Sequence, residues 1–205
     1  MPFKLICPYL INEGVFFRSL HTNTCLLLFI CKIWEVRVLD SSSIVIDHLL
    51  IKYKADQKWT RKVIEQLSEE DIIWSPTPES NSIANLIAHI SGAAHQWFET
   101  AYFGAPYIED RSNEFERGLQ MSKEQALEIS KKSYDCIIGV LEIMKVNPKR
   151  LLEQPYLHYP TFNSAALNNQ STILEMLLHQ FRHLPSHTGQ IIYIAKMRKG
   201  NLVWD

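Results

Sequence analysis

Apolar residues recur at helical spacing in four separate stretches of this chain, each about twenty residues or longer, divided by breaks marked with proline and glycine. Four such stripes have to be buried against one another, and the all-α architecture that does so is a four-helix bundle. The first stretch covers about 46–67, after Ser41-Ser42-Ser43, and places Leu49, Leu50, Tyr53, Trp59, Val63, Ile64 and Leu67 on one stripe. Pro76 and Pro78 remove backbone donors and make 74–79 a connection. Asn81 or Ser82 caps a second helix, which runs to about Tyr102 through Leu86, Ile87, Ile90, Trp97 and Phe98, the last two assigned to the core. A long polar connection follows over 103–121. Ser122-Lys123-Glu124-Gln125 has the capping-box form S-x-x-Q and opens a third helix reaching about Met144. The stretch 151–170, rich in Pro, Asn and aromatics, reads as a long loop. Ser171 starts a fourth helix that ends near Lys199, where Lys196, Arg198 and Lys199 complement the helix dipole and Gly200 stops it.

Residues 1–45 depart from this pattern. They hold Cys7, Cys25 and Cys31, and their apolar run from Cys25 to Cys31 is too short to cross a membrane. The basic start and small-residue cleavage site of a signal peptide are missing. The expectation is an N-terminal extension, poorly ordered or strand-prone and consistent with an upstream start codon, followed by one domain over 46–205. None of the cysteines, Cys136 included, forms a C-x-x-C pair, which fits a reducing cytoplasmic setting better than a disulfide framework. A formal net charge of −1 gives no electrostatic reason to expect nucleic acid or an anionic membrane as partner. Neither a glycine-rich phosphate loop nor a G-x-S-x-G elbow is present.

Chemistry concentrates on the fourth helix. His179, His183 and His187 are spaced four residues apart, so consecutive imidazoles stack on one helix face and two of them can grip one metal ion. A third ligand has to come from another helix. His89 lies in the apolar context Leu86-Ile87-Ala88-His89-Ile90, so its face points inward. Alone it reads as a hydrogen-bonded core histidine. Beside a His pair on a facing helix it reads as the third nitrogen of a site with an open fourth position. His95 and His158 read as surface or loop residues.

Three segments carry a family resemblance. They are 81–92, ending His89-Ile90-Ser91-Gly92; Asp110-Arg111-Ser112-Asn113-Glu114-Phe115; and 183–191, with its H-x-x-x-H-x-G-Q-I pattern. In these segments the region from about 46 to 202 resembles the DinB/YfiT-like superfamily, in an uncharacterised branch. The resemblance implies an up-down-down-up bundle with a long crossover between helices two and three. It also implies a divalent metal, Zn or Ni, on His89, His183 and His187, and homodimerisation through an outer face. Two residues depart from that pattern. Pro185 sits between the helix-four ligands, where it deletes a backbone hydrogen bond and can kink the helix, which leaves His179 as a fallback ligand. Ala93 stands where the branch more often has Asn.

Secondary roles follow. Gly189 is expected to admit a closely packed helix, and Gln190 either orients a ligand or pairs with a loop. Arg111 and Glu114 either fix the crossover or recognise an anionic substrate. Glu114, Gln190 and Arg111 are the candidate catalytic residues, with Glu175 a further carboxylate one turn before His179. Relatives implied by the resemblance transfer low-molecular-weight thiols to electrophiles, so the leading expectation is a metal-dependent thiol transferase acting on a small electrophile. A metal-dependent hydrolase is the alternative, since one ion can activate a thiol or a water. A non-catalytic helical binding or assembly protein is the third reading, and Pro185 and Ala93 favour it.

Overall fold

A computed structural model describes residues 40–106, 111–154 and 172–204, without the side chain of Arg111. The described residues are all-helical, with six α-helices and no strands. These are α1 (Ser41–Glu65), α2 (Glu69–Ile73), α3 (Ile83–Ala94), α4 (Arg111–Glu114), α5 (Lys123–Val146) and α6 (Ile173–Lys199). A π-helical segment, His95–Thr100, continues α3, and a 3₁₀ turn, Pro148–Leu152, follows α5. Among these residues no helix is long and apolar enough to cross a membrane. The expectations for 1–39, and those for His158 and most of the 151–170 loop, lie outside the described residues.

Local chemistry sets most of the boundaries. α1 begins at Ser41 rather than Ile46, because the Asp40 carboxylate accepts the Ser42 N–H at 3.3 Å and turns the serine run into a first helical turn. α3 begins after Ser82, whose hydroxyl accepts the Asn85 N–H while Asn85 Oδ1 accepts the Ser82 N–H. α5 begins in the same way after Ser122, with Gln125 closing the box. α6 is capped by Thr172, not Ser171, and Gly200 ends it at φ 76°, where a side chain would be strained. A third capping box, Ser68 with Asp71, builds the short α2 between the expected end of the first helix at Leu67 and the 74–79 connection.

α1 and α3 each pack against both α5 and α6, so the four longest helices share one core. The predicted stripe of α1 is buried except for Trp59, which is exposed. Trp97 and Phe98 are buried as expected, although in a π rather than an α turn. Inside the core, Tyr134 Oη and Thr188 Oγ1 share a hydrogen bond of 2.8 Å, and Thr60 Oγ1 lies 3.4 Å from each. Tyr53 Oη donates to the Leu177 carbonyl at 3.3 Å. These bonds tie α1, α5 and α6 together and satisfy polar groups that would otherwise be costly to bury. At the far end of α6, Arg198 donates to Asp71 at 2.8 Å and lies over the Trp74 ring, tying α6 to the α2 region.

Candidate metal centre

His89 sits in the second turn of α3, on the buried face that also carries Leu86 and Ala93. His183 and His187 sit on α6 on either side of Pro185. The helix runs unbroken through that proline. Proline lacks the N–H that would meet the Phe181 carbonyl, and one bond of the backbone ladder is lost there. The lost bond does not separate the two histidines.

The three rings converge. His183 Nε2 lies 2.9 Å from His89 Nε2 and 2.9 Å from His187 Nε2. One nitrogen from each of the three histidines falls within a 4.8 Å sphere of mutual distance, and His89 is only 9% exposed. Two of the outer ring nitrogens are tied down as well. His89 Nδ1 donates to Glu114 Oε2 at 2.9 Å, and His187 Nδ1 donates to Gln190 Oε1 at 2.7 Å. A carboxylate and an amide oxygen can only accept, so both of these Nδ1 atoms carry a proton, and in the neutral tautomer that this fixes the Nε2 lone pair faces inward. Burial pushes the His187 imidazole below the usual histidine range and the nearby His89 adds to this, against an upward pull from Gln190.

This donor set fits a divalent ion. Imidazoles with Nε2 turned inward, two of them (His89 and His187) backed by an acceptor on Nδ1, are the arrangement in which histidines bind metal. Nitrogens about 2.1 Å from one ion stand about 3–3.4 Å apart, close to the two 2.9 Å separations that His183 makes. Imidazole ligands suit Zn, Cu, Fe and Ni alike.

A family described as "Protein of unknown function (DUF1572)" matches residues 40–204. The chain belongs to that family. The match includes all three converging histidines together with Glu114 and Gln190. No curated protein and no solved structure matches the chain.

In this DUF1572 member the other predicted residues fall as follows. His179 stays outside the cluster, its ring stacked on His183 at 6.3 Å between centroids and set against Trp97 at 5.3 Å. Arg111 opens α4, and its side chain is not among those described. Gly189 is exposed, and a Cβ there would meet nothing within 4 Å, so it admits no neighbouring helix. Glu175 occupies the first turn of α6, where its N–H is capped by Thr172. His95 pairs with Glu99 at 2.6 Å. Ala93 is buried in the apolar core.

Four residues near the site carry roles that no motif spacing announces. Asn85 Nδ2 donates to the carbonyls of Glu114 and Glu116, at 3.0 and 2.9 Å. The Phe115 ring lies 5.0 Å from the His89 ring. At Gly92 a Cβ would fall 1.8 Å from Glu114 Oε1. Gln180 lies three residues before His183 and seven before His187, hence on the same helix face. It is fully buried, and among the described residues neither amide atom has a hydrogen-bond partner.

Proposed function

We propose that this chain is a divalent-metal-dependent enzyme on a DinB-like four-helix bundle, with His89, His183 and His187 as metal ligands. Its reaction is transfer of a low-molecular-weight thiol to a small electrophile. The observation that carries the metal is the position of His183 Nε2, 2.9 Å from two other imidazole nitrogens whose outer faces are already hydrogen-bonded. The bundle reading is supported by the packing of α1 and α3 against both α5 and α6, and by the long connection from α3 to α5.

A bound ion supplies Lewis acidity, which lowers the pKa of a thiol and leaves it nucleophilic at neutral pH. The protein supplies orientation. Glu114 and Gln190 hold two rings with Nε2 inward, while Phe115 places an apolar face beside His89 and Trp97 one beside the neighbouring His179. The buried Gln180 amide offers an unpartnered donor and acceptor to a polar atom of the guest. Glu114, the carboxylate that hydrolysis would call on as base, is engaged with His89 Nδ1, which favours the thiol over water as nucleophile. In the overall transfer a sulfur–carbon bond forms, a carbon–chlorine bond breaks, chloride leaves with the bonding electrons and the thiol proton passes to solvent.

Incubating Zn- or Ni-loaded protein with bacillithiol or glutathione and a chlorinated electrophile tests this reading. Thioether and chloride should appear in equal amounts, and the activity should vanish in His183→Ala. Turnover no higher than in metal-free protein would contradict an enzymatic role, and ester cleavage without thioether would point to a hydrolase.

A further inference from the structure

We propose that residues 113–117 form a strap whose docking on α3 sets the orientation of His89, so that metal capture and strap docking are one linked equilibrium. Glu114 is its positioning residue. This inference rests on the metal reading above, and it concerns how the chain builds the site rather than which ion fills it.

The strap is attached at four points. Asn85, the residue that closes the capping box of α3, uses its remaining amide protons on the carbonyls of Glu114 and Glu116. Arg117 donates to the carbonyls of Ser80 and Glu79 at 2.8 and 2.7 Å, just before α3. Phe115 lies against the His89 ring. Glu114 reaches over Gly92 to accept the His89 Nδ1 proton at 2.9 Å.

Gly92 explains why that reach is possible. It lies three residues after His89 on the same face of α3, and the space its missing side chain leaves is filled by the Glu114 carboxylate. The three heavy atoms nearest a Cβ there all belong to the Glu114 carboxylate, and φ at Gly92 is ordinary. The glycine is therefore a seat for the carboxylate. Because only a docked strap delivers an acceptor to His89 Nδ1, the undocked chain has one ring free to rotate and to exchange tautomers. An ion that needs the oriented ring stabilises the docked strap by the same factor by which the strap raises its affinity.

The test measures Zn²⁺ and Ni²⁺ affinity of the full chain by calorimetry, with hydrogen exchange of the strap amides read with and without metal. Glu114→Ala should weaken binding about 10- to 100-fold. Glu114→Gln, whose amide oxygen can still accept from Nδ1, should recover a large part of that loss. Gly92→Ala should match Glu114→Ala, the double variant should bind no more weakly than either single one, and metal-free Gly92→Ala should melt no lower than the natural chain. Arg117→Ala, which touches no histidine, should weaken binding in the same direction, and metal should slow strap exchange in the natural chain. If Gly92→Ala failed to fold, Glu114→Ala and Arg117→Ala would still decide the matter. Unchanged affinity in those two variants, or additive losses in the double variant, would overturn the strap and leave the triad standing. A natural chain that binds neither ion would overturn both.

Discussion

Buried polar side chains that lack partners mark where a molecule gives up stability for a purpose, and Gln180 is such a residue. Its neighbours on the core face of α6, Met176, Leu177 and Leu184, are apolar. Gln180→Leu removes an unpaired amide of similar size, and we expect it to stabilise the metal-free protein by about 1–3 kcal/mol in chemical denaturation. The same substitution should raise KM for the electrophile or thiol while leaving metal stoichiometry intact. Lower stability with unchanged KM would show that the amide serves the fold alone. His89, His183 and His187 were legible as a set because their spacing and context follow helical periodicity. Gln180, Asn85 and Gly92 were not, since their roles depend on what another segment brings over them. Gly189 failed in the opposite direction: its helical position suggested close packing, and it faces open space.

Individual elements show the same division between local and distant causes. The starts of α3 and α5 follow from capping boxes written in four consecutive residues; the Ser122 box was read from sequence, whereas the cap of α3 was narrowed only to Asn81 or Ser82. The α2 box, Ser68 with Asp71, was legible in principle, but the helix it starts is only five residues long and carries no periodic stripe. The π turn after α3 has no local signal. Pro185 predicts a kink from its chemistry alone, whereas the observed helix keeps its two flanking histidines 2.9 Å apart at Nε2. At the α2–α6 contact the Asp71 carboxylate is pushed up by burial. Hydrogen bonds from Ser68 and Arg198 outweigh that push and hold it below the usual carboxylate range. A carboxylate whose folded pKa is depressed stabilises the fold above its unfolded pKa and loses that contribution as pH falls through the folded value. Asp71→Asn should therefore cost about 2 kcal/mol at pH 7, and the difference from the natural chain should shrink below about pH 4. A difference that persists unchanged at pH 2 would assign the cost to packing instead.

For the whole molecule, helical content followed from four periodic stripes, and the structure supplies the pairing that lets α3 and α6 meet at the histidines. The side of the fold that carries Glu114 was not legible, because a connection without periodicity gives no register relative to the helix beneath it. A metal that binds only the folded chain adds stability by mass action, about 2.7 kcal/mol at a hundredfold excess over Kd. The measurement that bears most directly on the centre is the metal content of purified natural protein, by elemental analysis, beside that of His183→Ala. One Zn or Ni ion per chain in the natural protein and almost none in the variant is the expected result. Equal metal content in the two proteins, or none in either, would contradict a metal held by His89, His183 and His187.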